Sequence, residues 1–216
     1  MIKKQIPLDQ SKPRYLITPS LLNAWLYIWE SARNVIEYEK DEVCLEDKRT
    51  DTMEKSKLDF IDTLNKIQKE PNEYMKEGLA FEDRCYKGNS ECAKINEIIK
   101  GGAFQIVGTK QITVDDIDFL MYGRLDVLKG GVIYDIKRVW KYKKPKYQWS
   151  SQHRFYLDLF PEAKMFEYLI YDGSTMHLER YFSDNCTPTE LIIKDFIKWL
   201  KKENLLEIYL EKWRAK

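Results

Sequence analysis

The sequence has no apolar run approaching the roughly 18 residues that would suggest a bilayer span, and its opening "MIKKQIPLDQ" has no apolar segment of the secretory kind. A cytoplasmic location without a membrane partner is therefore expected. There is no C-x-x-C pair: Cys44, Cys85, Cys92 and Cys186 are scattered, so neither a zinc site nor a disulfide framework is indicated, and they read as reduced thiols. Net charge is nearly absent too, with 36 Lys plus Arg against 35 Asp plus Glu giving +1. Bulk charge gives no reason to expect a polyanionic partner. No internal repeat or low-complexity linker occurs, and neither "KGGV" nor "IKGGAF" has the form of a phosphate-cradling glycine loop.

What is present is apolar and aromatic material, 44% and 13% of 216 residues, enough for a substantial core in one domain over residues 1–216. "TPSLLNAWLYIWESARNVIEYE" has a cap-like Thr18, Pro19 at a first helical position, and Leu22, Trp25, Leu26 and Trp29 as a helical stripe. Residues 41–57 read as a charged loop before a second helix through Leu58, Ile61, Leu64 and Ile67. A third helix is expected from Asn72 to Tyr86, and a fourth from Cys92 to Ile99, before the Gly101-Gly102 break. Residues 1–70 thus form an N-terminal helical part.

The pattern then changes to "FQIVGTKQITV", "IDFLMYGRLDVLK" and "VIYDIKRV", a three-stranded antiparallel meander with turns at Asp115-Asp116 and Gly130-Gly131. The helical "QWSSQHRFYLDLF", stopped by Pro161, is followed by two further strands joined at Asp172-Gly173. Thr187 and Glu190 have the spacing of a capping box that opens a C-terminal helix through Leu191, Phe196, Trp199 and Leu200, within a helical part at 187–216. The fold class is α/β (α+β), a mixed sheet containing an antiparallel meander and flanked by helices.

The hairpin "GRLDVLKGGVIYDIKRV" raises a problem of charge. With a two-residue turn at Gly130-Gly131, Lys129 pairs with Val132, and counting back sets Asp126 directly opposite Asp135. Like charges so placed are destabilising. Alternation puts Lys137 on the same face as Asp135. A hard divalent cation would stabilise both acids, with the lysine neutralising or activating what the cation binds; the other reading is a solvent-facing strand edge. In the third helix, Met75, Leu79, Glu82 and Tyr86 share a stripe expected to face the core, so Glu82 needs a partner. That partner is a buried Arg or a backbone group, or else Glu82 is a third metal-site acid. Gln152 and Tyr156 share one helix face with Phe155 and Leu159, a pairing that is usually structural. Between the hairpin and this helix, "KRVWKYKKPKY" carries Lys137, Arg138, Lys141, Lys143, Lys144 and Lys146 without an acid, interleaved with Trp140, Tyr142 and Tyr147. It is either a solvated loop or a contact for phosphates and bases.

Gly78-Leu79-Ala80-Phe81-Glu82, Gly123-Arg124-Leu125-Asp126, Asp135-Ile136-Lys137 and the Q-x-x-x-Y of Gln152 to Tyr156 occur in this order on helix, strand, strand and helix. The chain thereby resembles the PD-(D/E)xK nuclease superfamily, in its RecB-type and phage-exonuclease branch, over about residues 73 to 182. Ser20 and Leu22 resemble the Ser-x-Leu helix that often opens RecB-type domains. The resemblance implies a restriction-endonuclease-like core and hydrolysis of DNA phosphodiester bonds, as in exonucleases of phage or mobile-element recombination and repair. It implies Mg²⁺ or Mn²⁺ held by Asp126, Asp135 and the Ile136 carbonyl, with Glu82 contacting the metal directly or through water. Lys137 would position or deprotonate the attacking water, and Gln152 and Tyr156 would hold the nucleic-acid backbone or the scaffold. Arg138 and Lys141, Lys143, Lys144 and Lys146 are then candidate DNA contacts. DNA is the implied partner, with a recombination partner protein and an oligomer as further options.

Two departures are visible. Leu125, not proline, precedes Asp126. Iron–sulfur relatives use one early cysteine and three near the C-terminus, whereas only Cys186 follows Tyr156 here, so no iron–sulfur cluster is expected. The alternative to an enzyme is a non-catalytic nucleic-acid-binding or assembly protein that keeps the nuclease fold.

Overall fold

The computed structural model describes residues 14–38, 45–143 and 145–215, without the side chains of 32, 34–38 and 45–49; Cys44 and Lys144 lie outside the described residues. Strand β1 (Tyr15–Ile17) leads into helices α1 (Pro19–Tyr38), α2 (Leu45–Leu64), α3 (Glu73–Tyr86) and α4 (Ala93–Ile99). Next come β2 (Ala103–Val114), β3 (Ile117–Lys129) and β4 (Val132–Arg138), the expected meander. Then follow α5 (Gln152–Leu159), β5 (Met165–Tyr171), β6 (Met176–Phe182), α6 (Thr189–Lys202) and α7 (Leu206–Lys212).

The sheet is mixed and six-stranded, in the order β1-β3-β4-β5-β6 with β2 also on β3. β4 and β5 run parallel through the α5 crossover, while β2–β3, β3–β4 and β5–β6 are antiparallel. The three-residue β1, too short to show a period, joins β3 in parallel at Phe119–Met121. Each face of the sheet has its own core. α3 and α4 cover one through Phe81, Cys85, Ile95 and Ile99 against Val127, Ile136 and Leu169. The larger core lies under α1, α2, α5, α6 and α7, with Trp25, Phe60, Phe155, Phe166, Phe196 and Tyr209 at its centre.

Several expectations change. α2 starts at Leu45, so most of the charged stretch is helical. Its long-chained residues are good helix formers, and Ser56 hydroxyl donates to Ser31 on α1 at 2.9 Å. Its buried stripe contains Phe60 and Leu64, while Leu58 and Ile67 face solvent. On α3 the buried residues are Phe81 and Cys85; Met75 and Leu79 are 59% and 64% exposed, so the stripe they share with Glu82 does not face the core. α5 begins only at Gln152. The capping box is absent: Pro188 caps α6 without a side-chain bond, and Thr189 hydroxyl instead donates to the Arg154 carbonyl at 3.2 Å.

α5 sits close to the sheet because two glycines pair across β2 and β3, Gly108 with Gly123. A Cβ at Gly123 would lie 2.7 Å from Tyr156 Cε1, and one at Gly108 would lie 2.5 Å from the Phe160 ring. Glycine inside a strand is otherwise unfavourable, and here it makes room for Tyr156. Gly123→Ala should therefore lower stability by about 1–3 kcal/mol through overpacking, measured by denaturant unfolding, and should displace the Tyr156 ring.

His153, 1% exposed, stacks on Tyr181 at 3.8 Å between centroids. Burial, aided by Arg154, pushes its pKa down to about 3. It stays neutral when folded but takes a proton near pH 6.5 when unfolded, so its stabilising contribution is full above that pH and declines as pH falls toward 3. The expected result is a dependence of Tm on pH between 6 and 4 that is shallower in His153→Gln than in wild type, the difference approaching about 1.4 kcal/mol per pH unit.

Candidate functional site

β3 has one edge covered by β2, and its other edge is shared. β1 pairs with Phe119–Met121 and β4 with Val127–Lys129, leaving residues 122–126 opposite neither strand. The count from the Gly130-Gly131 turn holds through Val127–Tyr134 and stops before Asp126 and Asp135 would face each other. The strands fork there. Two side chains take over the open backbone groups: Asp126 Oδ2 accepts the Ile136 N–H at 3.1 Å, and Tyr156 hydroxyl donates to the Arg124 carbonyl at 2.7 Å. Direct opposition of two carboxylates is thereby avoided.

The same rung carries a kink. Gln105 would pair with Asp126, but that pair is missing from the β2–β3 ladder and Gln105 has φ +52°. Side-chain alternation slips at this point: Ile106 and Leu125 pack with the larger core, Val127 with the smaller one, and Phe104 lies against Tyr86 of α3. A left-handed non-glycine residue stores about 1–3 kcal/mol of strain and persists only where its surroundings hold it. Gln105 Nε2 donates to Glu82 Oε1 at 3.1 Å and to the Tyr86 hydroxyl at 2.9 Å, and Tyr86 donates to the same Glu82 oxygen at 2.6 Å. Gln105 was not anticipated. A lone glutamine in a strand gives no signal of its own.

On β4, Asp135 is 3% exposed. Gln152 Nε2 donates to its Oδ1, and Lys137 Nζ lies 2.6 Å from its Oδ2. The Lys137 contact is a buried ion pair at hydrogen-bonding distance. Burial, then the charge of Asp135, raises the Asp126 pKa well above the carboxylate range against the pull of Lys137. Burial also raises Asp135, opposed by Lys137 and Gln152. For Lys137, burial pulls downward, but Asp135, Asp126 and Glu82 outweigh it and the pKa ends above normal. Tyr156, Tyr147 and Tyr168 are all pushed up, first by burial and next by Asp135. They are hydrogen-bond donors at neutral pH.

Asp126, Asp135, Lys137, Gln152 and Tyr156 thus meet at the fork, with Ile136 supplying its N–H to Asp126 and its side chain to the smaller core. Glu82 adds negative charge from α3, but its Oε1 is engaged by Tyr86 and Gln105. Among the described residues, no three His, Cys, Asp or Glu side chains form a metal-binding group. The carboxylates best placed to hold a cation are Asp126 and Asp135.

The basic segment divides. Arg138 is tied to the Val139 carbonyl and lies over the Tyr171 ring at 5.4 Å, so it staples the segment's start. Tyr142 stacks on His177 and Tyr147 on Tyr168, each at 4.4 Å, which makes them packing residues. Buried Glu179 accepts the backbone N–H of Lys146 at 2.6 Å and of Tyr147 at 3.0 Å. Lys141, Lys143 and Lys146 are exposed, as is Trp140.

No known protein-family pattern matches the chain, and no curated protein matches it. Among solved structures it is similar to the chain described as "Crystal structure of SSO0001", with a TM-score of 0.52 and 11% identity over 90% of this chain and 80% of that one. This likeness concerns the fold: a mixed sheet flanked by helices.

The two aspartates should respond differently to neutralisation. Asp126→Asn removes a buried, repelled charge while its amide oxygen still accepts the Ile136 N–H, so Tm in EDTA should stay level or rise. Asp135→Asn leaves Lys137 without its closest counter-charge and should lower stability by about 1–3 kcal/mol, several degrees in Tm for a chain of this size. Thermal unfolding followed by circular dichroism reads both.

Proposed function

We propose that the protein is a divalent-metal-dependent nuclease that hydrolyses DNA phosphodiester bonds, as its motif resemblance to the PD-(D/E)xK superfamily implies. The observation that carries this reading is the strand fork, where three separated sequence motifs supply Asp126, Asp135, Lys137, Gln152 and Tyr156 to one neighbourhood. The site fits Mg²⁺ or Mn²⁺ chemically. Its acceptors are hard oxygens, and Mg²⁺ commonly uses one or two carboxylates with water and substrate phosphate completing its shell. Asp126 and Asp135 would hold the ion, which when bound supplies Lewis acidity and charge neutralisation to the phosphodiester.

The chain's own groups have separate roles. Lys137, held by Asp135, offers ammonium donors and charge to an anionic transition state; an ion-paired ammonium has no lone pair with which to take a proton. Its role is therefore electrostatic. Gln152 fixes Asp135 Oδ1, and Tyr156 fixes the backbone at Arg124 beside Asp126. Gln105 and Tyr86 fix Glu82, whose charge favours the cationic form of Lys137.

A second reading has one observation in its favour. Glu82 is occupied by Tyr86 and Gln105, and the three acids do not form a metal-binding group, as suits a nucleic-acid-binding protein that retains the fold without turnover. Incubation with Mg²⁺ or Mn²⁺ and end-labelled linear, circular and single-stranded DNA separates the two. Loss of linear DNA with survival of circles is the expected exonuclease result; no hydrolysis of any substrate selects the binding protein. Lys137→Ala should keep DNA affinity while its rate falls by about 10²–10³-fold, since one preorganised donor at a developing anion contributes roughly 3–4 kcal/mol. A wild-type rate, with Asp126→Asn inactive as control, would remove Lys137 from the chemistry.

A further inference from the structure

A different face of α3, carrying Glu73, Tyr74, Glu77 and Ala80, opens onto a groove. It lies between the N-terminal turns of α3 and the basic segment after β4, with a volume of about 990 Å³. Tyr74 and Trp140 stand at its aromatic wall, 68% and 74% exposed. Their rings meet edge to face, with centroids 6.1 Å apart at 81°. Adjoining exposed aromatics form a contiguous apolar patch of the kind that marks binding surfaces, and this pair is not loose. Arg138, anchored on a backbone carbonyl, lies 5.9 Å from the centroid of the Trp140 ring. Lys76, Lys141 and Lys146 join Arg138 on the lining, against Glu73 and Glu77. Four cations against two carboxylates leave the groove positive.

We propose that this groove binds single-stranded DNA by stacking an unpaired base on the Tyr74–Trp140 corner. The reading rests on the nuclease proposal above and adds to it the strandedness of the substrate and a base-holding subsite. An edge-to-face pair leaves one ring face open as a shelf and presents the second ring to the edge of whatever lies on it. A flat heterocycle satisfies both contacts. A base within a duplex has its faces covered by its neighbours, so an unpaired one is required. The lysines supply sequence-independent phosphate attraction. Position agrees as well: Trp140 follows Lys137 by three residues, at most about 10 Å of chain, and Tyr74 precedes Glu82 by eight residues, about 12 Å of helix. Both aromatics of the corner are thus close along the chain to site residues at the fork.

The test measures binding in EDTA, apart from turnover, with a fluorescein-labelled oligothymidylate, an abasic oligomer of equal length and a blunt duplex. Trp140→Ala and Tyr74→Ala should each weaken oligothymidylate binding about tenfold, leave abasic and duplex binding unchanged, and keep the salt slope. Lys141→Ala with Lys146→Ala should instead reduce the slope on every probe. Oligothymidylate should quench tryptophan emission in wild type but not in Trp140→Phe, which should retain most of the affinity. Equal affinity of Trp140→Ala and wild type for oligothymidylate, or equal losses on abasic and duplex probes, would overturn the base-stacking subsite. The two proposals fail separately. Quenching without hydrolysis in Mg²⁺ or Mn²⁺ ends the nuclease reading and leaves the subsite, while metal-dependent hydrolysis with no effect of Trp140→Ala does the reverse.

Discussion

One hydrogen bond organises the candidate site: the Asp126 carboxylate takes the Ile136 N–H that continued pairing with β3 would have claimed. A buried backbone donor must be satisfied, and a side-chain acceptor lets β3 and β4 separate without leaving one unpaired. Separation in turn admits groups from both faces. Gln152 comes from α5 on the side of the larger core, and Glu82 from α3 on the side of the smaller one, so the acids lie at an opening in the sheet. Replacing a ladder bond with a carboxylate places charge inside a barrier that is otherwise apolar. The raised pKa values of both aspartates follow from that burial.

Much of this was legible in the sequence because it depends on local rules. The Gly130-Gly131 turn sets the β3–β4 register, and the strands, the helix between β4 and β5 and the order of the motif residues follow from period, turn chemistry and spacing. Asp126, Asp135 and Lys137 could be placed as neighbours for that reason. The departures arise where distant segments decide. β1 has only three residues, and its strand character comes from the β3 edge beside it. Met75 and Leu79 follow a helical period, but Phe81 and Cys85 on an adjacent stripe meet the sheet, a choice that depends on how α3 docks. The positive φ of Gln105 has no sequence mark, since it is imposed by the fork opposite and by Glu82 and Tyr86 above.

The aromatic content has two uses that composition alone does not separate. Tyr142, Tyr147 and Tyr168 form stacked layers with histidine or one another beneath the basic segment, whereas Tyr74 and Trp140 meet at the surface. The interleaving of lysine and aromatic residues therefore has an architectural part as well as an exposed one. Gly108 and Gly123 show the same economy in reverse: the lack of a side chain at Gly123 lets Tyr156 reach the Arg124 carbonyl, and its lack at Gly108 admits the Phe160 ring.

Buried Glu179 has a consequence for the segment it grips. Arg138 anchors one end of the basic run to β4 and β5, and Glu179, on β6, holds the other end by two main-chain N–H groups. Closing a loop has an entropic cost, and here that cost is met during folding. Under the proposed DNA-binding reading, the segment's ends are already ordered before association, so little configurational freedom remains to be lost there. The carboxylate thus restrains the backbone of a positively charged surface, although its own charge is of the opposite sign.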